Sequence, residues 1–497
     1  MNMRGTSPAG YEVWGKLSSG GMSDVWLAKN TRLALPVVLK TLQGADPADV
    51  ERRAHRLHQE ARLMARLSSP RVVRVLDVGS HPQGAHGVPY LVEEYVDGLD
   101  LGELDTLRRA ALKKSLPLSA IAEKLADACE GLHAAHQAGV VHCDVKPRNL
   151  FGATLGHIRV GDFGVSLDRS ETTRYVTAGT LAFMAPEQLA GEPIDRRADI
   201  WSLGATAFAL RYGRAPFASW QDAVDRHASP AFPPARAPEE AYFQHVVARM
   251  LARRPDARYP NLLVARQHLR AVEAATRVDC RTTRIAAHAY QVGSTRISFE
   301  VGDLAKTECD AVINSAYSEM QMRSGVGDAL RRAGGDSIET EAIAWGERAL
   351  GDAVVTGAGK LSCRAVVHAV GAWNEVSCVA RATHRALLHA EEQSFARVAL
   401  PAVGSGAGRV SLEACADTMV GTLRAHLRLG GSRLREVRFV LVDGASLARF
   451  SEVGHAVLSG LEDTLDESDT DAAAPASESG SAPTVFAYSA PPAARVA

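Results

Sequence analysis

The chain has 497 residues, 46% of them apolar and 23% charged, with a formal net charge of −1. That length exceeds a single compact core and implies two to four domains, and the near-neutral balance provides no field to gather nucleic acid or an anionic membrane surface. Seven cysteines stand apart, odd in number and without a CxxC pair, which excludes a disulfide framework and the usual zinc sites and fits a reducing compartment.

No run of about 18 apolar residues offers a membrane span, and MNMRGTSPAGYEVWG lacks the apolar core of a signal peptide. The chain therefore reads as soluble and cytoplasmic, with no membrane partner.

In chain order, residues 11–272 begin with a small β-rich part and continue into long helical patterns. Residues 273–296 read as a polar linker without clear period. From 297 to 461 short apolar runs (DAVINSA, DAVVTGAG, AVVHAVG, VALPAVGSG, VRFVLVD) alternate with helical windows. Each run is β-branched and ends in Gly, Asn, Ser or Asp, as strands buried on both faces do when crossover helices join them. That predicts an α/β domain with its ligand loops at the strand C-termini. Residues 462–497, acidic and then Ala/Pro/Ser-rich, are expected to be disordered, because they cannot bury enough apolar surface to offset ordering entropy.

The first part carries His142-Cys143-Asp144-Val145-Lys146-Pro147-Arg148-Asn149, then Asp162-Phe163-Gly164 and Ala185-Pro186-Glu187. Phosphoryl transfer needs a carboxylate to orient the acceptor hydroxyl, oxygen ligands for magnesium and a cation for developing charge. Asp144, the pair Asn149 and Asp162, and Lys146 supply these in turn, and Asn and Asp oxygens suit a hard octahedral cation. A glycine-rich turn or a DFG triplet alone would be uninformative; their ordered co-occurrence is specific.

This arrangement resembles the eukaryotic-type protein kinases in their bacterial serine/threonine branch, over about residues 11–272. The resemblance implies a bilobal α+β fold with a small β-rich N-lobe and a helical C-lobe, ATP and Mg2+ (or Mn2+) as cofactors, and protein substrates. It implies that Leu17, Ser18, Gly20 and Val25 form the nucleotide loop, that Lys40 contacts the α/β-phosphates, and that Glu60 pairs with Lys40. The backbone of Glu94 and Val96 would bind adenine. Asp199 would belong to the helix bracing the catalytic loop, Arg258 would pair with Glu187, and Thr180 would bridge Asp144 and Lys146, favouring Ser/Thr over Tyr.

Three positions depart from that pattern. Ser18 and Ser23 replace two loop glycines, and Cys143 replaces the arginine that pairs with a phosphorylated activation loop. Glu93 stands where an apolar or hydroxyl residue is usual, and a carboxylate there requires a partner such as a cation. Ser166, Ser170, Thr172, Thr173 and Thr177 offer autophosphorylation sites in the following loop.

In the second part, Val301-Gly302-Asp303-Leu304, Ser324-Gly325-Val326-Gly327 and Gly404-Ser405-Gly406-Ala407-Gly408-Arg409 lie at strand ends or helix starts. Two such glycine loops would present backbone N–H groups to a diphosphate. The pattern resembles the macro domain, an α/β three-layer fold. The resemblance implies adenine contact by Asp303, distal-ribose contact by Asn314, and diphosphate contact by the two loops. The ligand implied is ADP-ribose or an ADP-ribosylated protein. Tyr317 and Gly327 replace residues of hydrolytic members, which favours binding over hydrolysis. The alternatives are a pseudokinase scaffold with an ADP-ribose reader, or a kinase that is also an ADP-ribosyl hydrolase.

Overall fold

The computed structural model describes residues 8–19, 23–42, 55, 57–59, 61–81, 87–152, 154, 156–163, 181–225, 228–278, 280–373 and 376–459. The tail at 462–497, read from sequence as disordered, lies outside them.

The first lobe is an antiparallel sheet of β1 (Tyr11–Ser19), β2 (Ser23–Asn30), β3 (Leu35–Leu42), β4 (Val75–His81) and β5 (Val88–Glu94), in the order β1-β2-β3-β5-β4. Period-two alternation divides its faces. Val13, Trp26, Ala28, Val37, Leu39 and Val92 share one apolar cluster. The opposite face takes Val25, which pairs with Lys40, and Val38, which pairs with Glu93. Cross-strand partners point the same way, so Lys40 and Glu93 share that second face.

The helical lobe contains α1 (Leu101–Leu112), α2 (Leu118–Gln137), α3 (Arg197–Tyr212), α4 (Pro238–Met250) and α5 (Leu262–Thr276). Side-chain caps fix two starts: Asp100 accepts from Glu103 N–H at 2.8 Å and Asn261 from Val264 N–H at 3.1 Å. Leu125, Leu132, Trp201, Phe208, Phe243 and Leu269 join in one core. The short hairpin β6 (Leu150–Phe151) and β7 (Arg159–Val160) follows the catalytic loop.

The second domain is built on an eight-stranded sheet. Its strands are β8 (Thr282–Ala286), β9 (Ala289–Val292), β10 (Thr295–Val301), β11 (Ala311–Ser315), β12 (Ala353–Gly357), β13 (Ala365–Ala369), β16 (Arg397–Leu400) and β17 (Glu436–Leu441), ordered β12-β13-β11-β16-β17-β10-β9-β8. A separate hairpin pairs β14 (Ala372–Trp373) with β15 (Val376–Ser377). The five central strands of the large sheet run parallel and its margins antiparallel.

Helices cover both faces, giving three layers. Ile313, Leu400 and Phe439 pack with α8 (Val379–Glu392), α9 (Leu412–Arg428) and α10 (Gly444–Ser459). Val312, Val366 and Val440 pack with α6 (Gly325–Gly334) and α7 (Ser337–Ala344). The linker reading of 273–296 is corrected here: α5 runs to Thr276, and β8 and β9 form an edge of the sheet. β8 is largely exposed, so no apolar alternation announced it.

The two domains share a seam along α1 and α8. Glu103, buried on α1, accepts Arg385 Nε at 2.9 Å and forms an ion pair with Arg381 Nη2 at 2.8 Å. Arg108 reaches the carbonyl of Gly430 at 2.6 Å, and His384 meets Thr154 Oγ1 at 3.1 Å. Trp14, Leu17, Leu27 and Tyr95 join an apolar cluster with Met320, Val376 and Cys378. Asp97, just after β5, accepts the N–H groups of Ala380 (2.9 Å) and Arg381 (3.2 Å), so a residue of one domain caps a helix of the other.

Burial pushes the Asp97 carboxyl from 3.8 up to about 6, against the lowering effect of those N–H groups. A folded value above the unfolded one means that this carboxyl's share of stability is full below pH 4 and is lost as pH rises through 6. Asp97→Asn, which does not titrate, is expected to remove that slope. The melting-temperature difference between the native chain and the variant, followed from pH 4 to 7, should therefore fall; a flat difference would mean that burial does not raise the Asp97 carboxyl.

Candidate active site and ligand pocket

The catalytic loop is shaped by one buried carboxylate from α3. Asp199 accepts the N–H groups of His142 at 2.8 Å and Cys143 at 2.9 Å and meets His136 Nε2 at 2.7 Å. These bonds hold Cys143 at φ 63°, a left-handed conformation that a non-glycine residue adopts only under such constraint. Gln188 Nε2 donates to the Cys143 carbonyl at 2.9 Å, tying the loop to the short helix Pro186–Leu189.

The turn presents Asp144. Its Oδ2 accepts Lys146 Nζ at 2.8 Å and Asn149 Nδ2 at 3.2 Å, and its carbonyl accepts the same amide at 2.8 Å. Gly161 N–H donates to the Asn149 carbonyl at 3.0 Å, bringing the Asp162 turn alongside. His142 Nε2 contacts the Gly161 carbonyl at 3.0 Å, and its ring centroid lies 4.4 Å from that of Phe163. Asp162 is itself left-handed, at φ 53°.

Lys40 crosses from the first lobe to pair with Asp162 and also lies 2.5 Å from Glu93. Burial alone would raise the Asp162 carboxyl, but the Lys40 ammonium holds it below its usual range. Glu93 moves the other way: burial raises it and Lys40 only partly offsets that. Burial would lower Lys40, yet Asp162 and Glu93 together leave it above its ordinary value.

Beneath the loop, Arg258 clamps Glu187 with two bonds of 2.6 and 2.8 Å, both residues being buried. The Glu94 carboxylate is held by Arg74 and by Arg159 Nη1 at 2.9 Å. Val25 and Val96 are half-buried, and Ser18 lies opposite Val25 in register. Leu17, read as part of the nucleotide loop, packs at the edge of the seam cluster. Gly20, Glu60 and Thr180, together with Ser166, Ser170, Thr172, Thr173 and Thr177, lie outside the described residues.

In the second domain, β11 and β16 are adjacent and parallel, so the loops at 324–327 and 404–409 leave the sheet at the same end. Gly404 (φ 88°) donates its N–H to Ser315 Oγ at 3.2 Å, and a Cβ on Gly408 would lie 2.5 Å from the Gly404 carbonyl oxygen. This turn closes only with glycine at 408. Gly325 (φ 55°), Gly406 and Ala407 are exposed, Val326 and Ser405 half-buried. Asp303 caps the turn that follows β10, accepting from Ala305 N–H at 3.0 Å, and pairs with Lys306 at 3.2 Å.

Asn314 is buried, and its Nδ2 bonds His368 Nδ1 at 3.1 Å; His368 Nε2 contacts Thr356 Oγ1 at 2.9 Å. The sequence reading missed this triad, since it depends on the pairing of Asn314 with His368 across β11 and β13. It also passed over the exposed Trp373, which packs edge-on to Tyr317 with centroids 5.6 Å apart. Tyr317 bonds Ser324 at 2.6 Å.

A two-lobed fold whose strand lysine meets a left-handed aspartate beside a braced catalytic loop is that of a protein kinase. A family model described as Protein kinase domain matches residues 11–269, and the chain belongs to that family; a second, Macro domain, matches 313–419. Serine/threonine-protein kinase PknB of Mycolicibacterium smegmatis is 35% identical over 260 residues, covering 50% of this chain and 40% of that protein. PknF of Mycobacterium tuberculosis is 36% identical over 268 residues, covering 51% and 54%. The chain therefore spans only about half or less of these relatives. Among solved structures, the Mycobacterium tuberculosis PknI kinase domain aligns at 27% identity and TM-score 0.43, covering 55% of this chain and 99% of that one. No helix of the described residues is long and apolar enough to cross a membrane.

Removing one partner of a buried pair leaves the other charge uncompensated. Glu187→Gln is thus expected to destabilise the helical lobe by about 3 kcal/mol, read as a lower first melting transition; an unchanged melt would mean that the Arg258 clamp adds nothing.

Proposed function

We propose that this protein transfers the terminal phosphoryl group of ATP to Ser or Thr hydroxyls of proteins, itself included, and that its second domain binds ADP-ribose or ADP-ribosylated protein. The observation that carries the first half is the Lys40–Asp162 pair across the two lobes, with the Asp144–Lys146–Asn149 cluster held alongside by the Gly161 N–H on the Asn149 carbonyl.

The donor set fits a magnesium–nucleotide complex. Asn149 spends its amide N–H on Asp144, which leaves its oxygen for a cation, and Asp162 stays ionised beside Lys40. No group of three or more His, Cys, Asp or Glu converges for a metal among the described residues, so Asn149 and Asp162 would hold Mg2+ or Mn2+ together with phosphate oxygens. Bound there, the cation would neutralise charge on the phosphates.

The chain's own groups do the rest. Asp144 orients the acceptor hydroxyl and takes its proton. Lys146, already on Asp144, balances negative charge as it moves toward the acceptor. Lys40 positions the α/β-phosphates, the backbone of Glu94 and Val96 holds adenine, and Leu17, Ser18, Gly20 and Val25 enclose the nucleotide. Cys143 stands where the kinase pattern has a phosphate-reading arginine, and Asp199 holds the loop through the backbone N–H of residue 143, which does not depend on that side chain.

For the second domain, the support is the pair of glycine loops emerging from adjacent parallel strands. Gly325, Val326 and Gly404 through Gly408 would present N–H groups to the diphosphate, Asp303 would meet adenine and Asn314 the distal ribose. Binding is favoured over hydrolysis because the nearby acid, Asp328, is engaged by Arg331 at 2.9 Å and Arg332 at 2.6 Å.

With Mg2+, radiolabel from ATP should appear on the protein or on a basic substrate, and Asp144→Asn should cut the rate by about 10²-fold or more. ATP binding without transfer under any metal condition would favour the pseudokinase scaffold. In calorimetry on the full chain, ADP-ribose should bind, and Gly408→Ala should weaken it about tenfold, the worth of one lost hydrogen bond. Absence of binding at millimolar ligand would refute the pocket, and release of ADP-ribose from a modified protein would establish the hydrolase.

A further inference from the structure

We propose that Glu93 is a positioning residue for phosphoryl transfer: from β5 it holds the Lys40 ammonium in the orientation that meets the nucleotide phosphates. This rests on the kinase reading above and assigns a role to a residue whose type departs from the family pattern.

The register supplies the geometry. Glu93 lies directly opposite Val38, and Lys40 is two residues further along β3, on the same face. Such diagonal positions are about 7–8 Å apart at the backbone, a gap that a lysine and a glutamate together span with ease. The result is the 2.5 Å contact between Lys40 Nζ and Glu93 Oε2. The neighbours on either side face the other way, Val92 into the apolar cluster and Glu94 onto Arg74 and Arg159.

The surroundings explain why this carboxylate bears on Lys40. Glu93 lines a cavity of about 300 Å³ with Leu57, Ala61, Met64, Leu91 and Phe163. A carboxylate among apolar groups persists only with a close cation, and Lys40 is the one that contacts it among the described residues. Among the described residues Lys40 in turn has two carboxylates, Glu93 and Asp162. Asp162 is the one that would also serve a cation. Among the described residues Glu93 is thus the partner that leaves the ammonium anchored when Asp162 is otherwise engaged, and it does so from a sheet strand whose backbone is paired on both sides.

The test compares Glu93→Gln, Glu93→Met and Glu93→Asp in the full chain, by melting temperature, by calorimetric affinity for Mg·ATP and by steady-state kinetics. Asp162 still neutralises Lys40 in every variant, so the melting temperature is expected to stay close to native. The Gln and Met variants should lose about tenfold or more in ATP affinity and in kcat/KM for ATP, the scale of a charged hydrogen bond, with KM for the protein substrate unchanged. Glu93→Asp, which keeps the charge, should recover most of the loss. A purely structural role would lower melting and all kinetic constants together, and would overturn the proposal, as would Gln and Met variants that bind and transfer like the native chain. If the native chain binds ATP but transfers nothing, the kinase reading fails by itself; the affinities of the variants still decide the role of Glu93.

Discussion

The buried carboxylate of Asp199 is the constraint on which the catalytic geometry depends. It accepts two consecutive backbone N–H groups and a histidine, so the chain at Cys143 has to turn left-handed. Hydrogen bonds to a charge in a water-free interior are stronger than surface ones, and their loss leaves a charge unpaired. Because α3 is packed through Trp201, Leu203 and Phe208, its carboxylate is fixed relative to the helical core. Asp144 inherits that fixity one residue on. Nothing in this chain of support uses the arginine that Cys143 replaces.

A comparable logic joins the domains. Glu103 sits on a helix that begins a few residues after β5, and two arginines one turn apart on α8 converge on it. Asp97 in the intervening segment caps the same α8. The segment connecting the two lobes of the kinase is therefore also where the second domain is fastened. Movement of one lobe against the other has to be accommodated within a few residues of that attachment.

The catalytic loop is legible in sequence because phosphoryl transfer would require particular residue types at fixed spacing, which Asp144, Lys146, Asn149 and Asp162 match. In the second domain β11, β13, β16 and β17 were legible from β-branched runs closed by Gly, Asn, Ser or Asp, whereas the similar run DAVVTGAG forms β12, which pairs antiparallel with β13, and the parallel β10 was not among those runs. What could not be read depends on register or on a second surface. The partner of Glu93 follows only once β3 is aligned against β5. Arg381 and Arg385, four apart on a helix, look in sequence like any solvated face; their burial against Glu103 is a tertiary fact. β8 gave no apolar pattern because it is a largely exposed edge strand, and β9, mostly buried, is only four residues long.

The second pocket is organised differently from the first, through neutral groups. Burial pushes the His368 ring down to about 4, so it remains uncharged across the physiological range. A neutral imidazole has one donor and one acceptor nitrogen. With the Asn314 amide donating to Nδ1, the proton sits on Nε2 and is given to Thr356 Oγ1. That choice fixes the amide: its Nδ2 is spent inside the sheet layer, and its Oδ1 lies where a Cβ on Gly327 would come within 3.4 Å. Oδ1 has no partner among the described residues. The small residue at 327 and the buried histidine thus act together, one keeping a space open beside the helix start and the other setting which atom of Asn314 faces it. In the kinase half, geometry is held by charges compensated at close range; here it is held by a tautomer.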